Sequence, residues 1–318
     1  MENIERYRRF CKEKNNIPIF SKDWWLDAVC GESNWDVLLY EKSDTIVASM
    51  PYCKKKKIIF KTIWMPKLTQ TMGPYIIYPI GQKYEKKLSF EKEIMNYFIA
   101  KLPDYDYFFQ HFHYNITNWL PFYWKGFKQT TRYTYVIENI QNLEDVFKSF
   151  NHAKRKQIKK AEQNNIIVTQ DTITPKEFYE LHKKELLAED KNNNIAYEYS
   201  LLKKIYESCQ KQESGSFFVA RDSENNVHGA LLIIWDKASS YNLISAFDPV
   251  YFKSGATSLL IKESIRIISS LGIEKFDLEG SMIEGVEHSF KQFGATQKAY
   301  FRITKANNIL IKVAEALK

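Results

Sequence analysis

Apolar and polar positions change period repeatedly along the chain, and each change marks an element. Residues 2–14 give an opening helix, and Ser21 can cap a second turn carrying Trp24, Trp25, Ala28 and Val29. Alternating runs at 35–41, 45–53 and 57–65 then predict strands, separated by GESN, KSD and a lysine run that suit hairpin turns. A Gly-Pro loop and an apolar strand follow, then a helix with Leu88, Ile94, Phe98 and Leu102 on one face. In YDYFFQHFHYN, strand alternation would set Phe109, His111 and His113 on one side. From Leu143 a helical period places Val146, Phe147, Phe150, Ile158 and Ala161 inward, with a basic cluster opposite.

Beyond this point the order partly repeats. Two helices, three strands, a helix, the strand KFDLEG, a short helix and a last strand QKAYFRITK complete the chain. Each half reads helices, antiparallel strands, helix, strand, so two copies of one α/β (α+β) unit are the economical interpretation. The expected boundary gives a first domain at 1–140 and a second at 141–318, with the seam near 138–145. This order suits tandem GNAT-like domains, each a mixed, largely antiparallel sheet flanked by helices.

Composition agrees with a globular chain of 318 residues, 44% hydrophobic and 15% aromatic. The amino end has no apolar run and no stretch reaches the length of a membrane span. Cys11, Cys30, Cys53 and Cys209 stand far apart without zinc-ligand spacing, so reduced cysteines, a cytoplasmic location and no bound metal are expected. A net charge of +8 favours an anionic partner. Lys54 to Lys57 read as a solvated turn, and Lys154, Arg155, Lys156, Lys159 and Lys160 as a solvated helix face.

The chemistry concentrates in FDLEGSMIEGVEHSFKQFGA, residues 276–295. KFDLE alternates as a strand with Asp277 and Glu279 on one side. After Gly280 and Ser281, residues 283–292 predict a short helix with Val286, Phe290 and Phe293 inward and Gly294 as a left-handed stop. Lys291 interrupts the aromatic face. Its plain explanation is a surface pair with Glu287, worth ~0.3 kcal/mol.

The whole chain resembles the Fem family of aminoacyltransferases, which build peptidoglycan interpeptide bridges and consist of two GNAT-like domains. The resemblance lies in FSKDWWLDAV, LTQTMGPYI, NHAKRKQIKKAEQNNIIV, VHGALLIIWD, ASSYNLISAFDP and, above all, KFDLEGS followed by HSFKQFGA. It implies that Phe290 and Lys291 match a Phe-Lys pair at the reaction centre, where a fixed cation meets the charge of the transition state. It also marks Arg155 as a contact for an anionic substrate. Two sugar-nucleotide contacts of the family lack counterparts: the early helix reads WWLDAVCGE without lysine, and Glu189 and Asp190 stand where an arginine is expected.

The expected activity is transfer of an acyl or aminoacyl group to an amine, in cell-wall or cell-envelope precursor synthesis. Lys291 is the catalytic candidate, and Phe290, Arg155, His111 and His113 are substrate-binding candidates, the two histidines lining an interdomain cleft. Asp277 and Glu279 are the nearest carboxylates for a general base. The donor is expected to be aminoacyl-tRNA or acyl-CoA. DPVYFKSGATSLL carries Lys253, Gly255 and Ala256 but not the full pyrophosphate loop of GNAT enzymes, so Gly255 can simply start a helix. Two alternatives remain open: a CoA-dependent N-acetyltransferase, and a non-catalytic protein that binds RNA or another polyanion on the same fold.

Overall fold

The computed structural model describes residues 2–57, 59–190, 194–280 and 282–316. The chain forms two compact units, Met1–Arg132 with Ala299–Lys318, and Tyr133–Lys298. The first contains α1 (Glu2–Glu13), α2 (Asp23–Cys30), β1 (Trp35–Lys42), β2 (Thr45–Lys57), β3 (Phe60–Trp64), β4 (Tyr75–Ile76), α3 (Tyr84–Lys101), β5 (Tyr107–Phe112) and α4 (Leu120–Trp124). β6 (Lys128–Ile137) carries the chain into the second unit. There follow α5 (Leu143–Ser149), α6 (His152–Gln163), β7 (Ile167–Gln170), α7 (Pro175–Glu189), α8 (Tyr199–Lys211), β8 (Gly215–Arg221), β9 (Val227–Trp235), β10 (Ser239–Phe247), α9 (Ala256–Ser270), β11 (Lys275–Asp277) and α10 (Glu284–Lys291). β12 (Thr296–Ala306) returns to the first unit, where α11 (Ile309–Ala316) ends the described chain.

The two units use the same local plan. In the first, β1, β2 and β3 pair antiparallel, β5 lies parallel to β3, and β12 is the antiparallel partner of β5. In the second, β7, β8, β9 and β10 pair antiparallel, β11 lies parallel to β10, and β6 is the antiparallel partner of β11. Parallel neighbours need a long crossover, which α3 and α9 supply. The last antiparallel strand of each unit comes from the other half of the sequence, so the units do not follow from one cut of the chain.

Burial explains the elements. β8, β9 and β10 are buried along nearly their whole length; β8 and β9 are largely apolar, whereas β10 buries Ser239, Ser240 and Asn242 as well. β5 alternates, with Phe108, Gln110 and Phe112 buried and Tyr107, Phe109 and His111 partly open. In the second unit Tyr135, Phe150, Ile158, Ala161, Leu259, Phe276, Leu278 and Phe293 share one core.

Several expectations change. The lysine run extends β2 instead of forming a turn: Lys54 to Lys57 face Ile63, Thr62, Lys61 and Phe60 across the ladder, because an exposed strand end tolerates charge. Ser21 caps no helix; its carbonyl accepts from Tyr7 Oη at 2.6 Å, and α2 begins after Lys22. The single helix from Leu143 breaks at Phe150, which is extended, and Asn151 restarts it by accepting from Lys154 N at 2.9 Å. Cys30 and Cys53 form a disulfide, with Cα atoms 6.4 Å apart, while Cys11 and Cys209 are free and buried. The disulfide corrects the expectation of four reduced thiols. α2 and β2 bring together residues whose separation in sequence hid the pairing.

Gly255 is required by both conformation and space. It caps α9 at φ +88°, and a Cβ there would lie 2.2 Å from the Gln157 carbonyl oxygen of α6. Gly255→Ala is therefore expected to destabilise the protein by about 2 kcal/mol or more, read as a lower thermal midpoint. Under denaturing, non-reducing conditions, thiol titration should find the two free cysteines; four would show the Cys30–Cys53 bond to be absent.

Candidate active site

The second unit gathers polar groups around Tyr135 and the exit of β11. Register places Asp277 opposite Val136 and Phe276 opposite Ile137, and the ladder continues through Leu278 N donating to Tyr135 O at 2.8 Å. Asp277 is fully buried, and its Oδ1 accepts from Thr134 Oγ1 at 2.5 Å and from Glu279 N at 2.8 Å. Glu279 itself has a left-handed backbone, φ 64°. Its residue surface is only partly exposed, and Oε1 is enclosed without a hydrogen-bond partner. Burial, followed by the neighbouring Asp277 charge, raises this carboxyl well above the ordinary glutamate range.

A strained non-glycine residue whose carboxyl is raised by burial is a common feature of reaction centres. Sequence alternation placed Asp277 and Glu279 on one side, but whether that side met water depended on β6 and β10, which flank β11.

α10 sits beside this feature. Phe290 packs against the second-unit core, its ring 6.2 Å from that of Tyr135. Lys291 is half-exposed and pairs with Glu287 at 3.1 Å. That pair is the expected surface contact, but Glu287 has a second partner: its Oε1 accepts from Tyr135 Oη at 3.2 Å, and Gln297 Nε2 donates to the same phenol oxygen at 2.6 Å. Lys291 is thus tied through Glu287 to the strand that also holds Asp277.

Lys154 departs from its expected place on a solvated face. It is 6% exposed, its Nζ donates to Ser289 Oγ at 2.8 Å and lies 4.4 Å from the centre of the Phe293 ring. Burial lowers its pKa to about 8. A signal was present in the sequence: Lys154 precedes Ile158 by four residues and Ala161 by seven, which puts it on the buried face of α6. Arg155 points to the other side, where Nη1 donates to the carbonyl oxygens of Lys148 (3.1 Å) and Phe150 at the end of α5. It also lines a shallow hollow with Glu144, Phe147 and Lys148. Its guanidinium is therefore largely occupied with closing a helix end.

The histidines belong to the first unit. His111 Nδ1 contacts Gln70 O at 3.0 Å, and its pKa falls to about 4, chiefly through burial. His113 lies beyond the end of β5, so strand alternation does not reach it; its Nδ1 accepts from Asn115 N at 3.2 Å in a turn.

In GNAT enzymes a coenzyme A pyrophosphate rests on helix N-terminal amides equivalent to those of α9. The residues here do not fit that arrangement. Gln157 O lies against Gly255, Ser254 Oγ accepts from Ala256 N at 3.2 Å, and Lys160 Nζ donates to Lys253 O at 2.6 Å. Ser258 Oγ also donates to Gln157 Oε1 at 2.6 Å. α6 thereby covers the place where the diphosphate would lie.

The family model of an acetyltransferase (GNAT) domain matches residues 148–291, a span that contains Lys154, Asp277, Glu279 and the Phe290–Lys291 pair. No curated protein matches the chain. Among solved structures, FemX aligns with TM-score 0.71 at 13% identity over 94% of this chain and 95% of its own. L-PGS from Bacillus licheniformis aligns with TM-score 0.55 at 12% identity, covering 97% of this chain and 94% of its own. A tandem GNAT protein from the clavulanic acid biosynthesis pathway aligns with TM-score 0.53 at 8% identity, covering 96% and 95%. These structures establish the tandem GNAT fold, and the matched domain supports an acyltransferase.

The raised Glu279 carboxyl has a consequence for stability. Between the ordinary glutamate value of 4.5 and its own raised value, the folded state holds more protons than the unfolded state, so Glu279 weakens folding as pH rises. Glu279→Gln should therefore raise the thermal midpoint at pH 8 relative to wild type and change it little at pH 4.5. An equal shift at both values would show that the carboxyl ionises normally.

Proposed function

We propose that the chain is an N-acyltransferase whose reaction centre lies at the exit of β11, with Glu279 as general base. The observation that carries this reading is the enclosed, raised carboxyl of Glu279 within the matched acetyltransferase span. An acceptor amine is largely an ammonium ion in water and must lose a proton as it attacks. A carboxylate with a raised pKa takes that proton more readily than an ordinary glutamate. The amine nitrogen bonds to the acyl carbon, the ester C–O or thioester C–S bond breaks, and the leaving oxygen or sulfur takes up a proton that Glu279 can return.

In this reading Lys291 meets the oxyanion of the tetrahedral intermediate, and its tether through Glu287 to Tyr135 supports a fixed position. Phe290 shapes the adjoining wall. Lys154, uncharged more readily than a surface lysine, holds α10 through Ser289. The covered N-terminus of α9 favours an aminoacyl ester donor, such as aminoacyl-tRNA, over acyl-CoA. Such a donor would place the reaction in the cytoplasm. The resemblance of the sequence to the Fem family supports a cell-envelope precursor as the amine acceptor, and the fold shared with FemX supports two GNAT-like halves, 1–140 and 141–318.

Single-turnover transfer from aminoacyl-tRNA and acyl-CoA donors to amine acceptors tests the reading. Glu279→Gln should slow transfer by roughly 10²–10⁴-fold. It should also remove the loss of rate that wild type shows as pH falls through the raised carboxyl value. Lys291→Ala should cost about 10²–10³-fold with little change in that pH limb. Wild-type rates and pH dependence in Glu279→Gln would overturn the assignment, and an unchanged rate in Lys291→Ala would remove the oxyanion role.

A further inference from the structure

The first unit contains a cationic cluster, without a counter-ion among the described residues, that the acyl-transfer centre does not use. Arg302 on β12 stands directly opposite His111 on β5 in the antiparallel register. Its guanidinium lies 4.7 Å from the centre of the Phe109 ring, and Phe109 is braced edge-on by Trp64 at 4.8 Å. An aromatic face orients the guanidinium without neutralising it. Arg132 is close enough to His111 for its charge to act on the imidazole, as does that of Arg302. Arg132 Nε is buried without a hydrogen-bond partner. Among the described residues neither arginine forms an ion pair.

His111 supplies the complementary group. Gln70 O can only accept, so Nδ1 must donate to it across their 3.0 Å contact. Burial and the two arginines keep the imidazole neutral near pH 7. Nε2 therefore carries a lone pair, and it is buried without a partner. Two guanidinium donors beside one buried acceptor select an anion that also carries a proton. A carboxylate or sulfate has acceptors alone at neutral pH, whereas a phosphate monoanion offers both acceptor oxygens and a P–OH donor. Arg132, Arg302 and His111 are each partly exposed as residues, while His111 Nε2 and Arg132 Nε are themselves enclosed, so a bound group has to displace neighbouring side chains to reach the imidazole.

We propose that Arg132, Arg302 and His111 form a binding site for a phosphoryl group bearing a proton or an adjacent hydroxyl. The site lies in the first unit and does not depend on the assignment of Glu279. Its ligand is a phosphorylated small molecule or a phosphate terminus, held by charge-assisted bonds to both guanidinium groups and by donation to His111 Nε2.

Calorimetric titration of the intact protein with inorganic phosphate, sulfate and acetate at pH 7 and constant ionic strength tests this proposal. Phosphate should bind at least about tenfold more tightly than sulfate or acetate. Arg132→Gln and Arg302→Gln should each weaken phosphate binding by about tenfold or more, while Lys86→Gln on the exposed face of α3 should not. In phosphate-free buffer, removing either arginine should also raise the thermal midpoint by relieving unpaired positive charge. Equal affinity for phosphate and sulfate, or no phosphate binding at millimolar concentration, would overturn the site on wild-type protein alone. Equal losses in Lys86→Gln and the arginine variants would reduce it to diffuse electrostatics.

Discussion

Enclosing two neighbouring carboxyl groups at the end of β11 is the constraint around which the second unit is organised. Among the described residues neither an arginine nor a lysine forms an ion pair with Glu279. Asp277 is held by the Thr134 hydroxyl and the Glu279 amide, and burial raises the Glu279 carboxyl, which favours its neutral form. The left-handed backbone at Glu279 adds strain of order 1–3 kcal/mol. A packed frame has to offset both. β10 and β6 flank β11, and the surrounding core of Phe276, Leu278, Ile265 and Ile268 provides it. A carboxyl so placed weakens the fold and, under the proposed function, strengthens a base.

The helical break at Phe150–Asn151 makes the rest of the site. One continuous helix would carry Lys154 elsewhere; the restart directs α6 across both the N-terminus of α9 and the C-terminal end of α10. Asn151 N donates to Gln292 O at 2.9 Å, Lys154 reaches Ser289, and Gly294 must lack a side chain because a Cβ would lie 2.1 Å from Ser149 Oγ. The same helix covers Gly255. One local backbone choice therefore fixes the aromatic-lysine helix and closes the diphosphate position that related folds use.

Much of this was legible in the residues. Periodicity located most helices and strands, KFDLEG as a strand, the short helix after it and Gly294 as its left-handed stop. Pairing was not legible, because β12 and β6 find their partners across the sequence: Ile303 faces Gln110, and Asp277 faces Val136. The lysine run looked like a turn since its four charges forbid burial but not pairing. Lys154 was readable from its spacing to Ile158 and Ala161, yet its charge suggested solvent. Arg132 and Arg302 carried no signal at all; their meaning depends on the lack of a counter-ion among the described residues, which only assembly in three dimensions reveals.

The protonation of Glu279 is the point at which this account is most directly open to measurement. Carboxyl ¹³C resonances of glutamate-labelled protein, assigned by comparison with Glu279→Gln, give its titration midpoint in the folded state. The account predicts a midpoint well above the ordinary value of 4.5. A midpoint at or below 4.5 would show a charged, solvated carboxylate and contradict it.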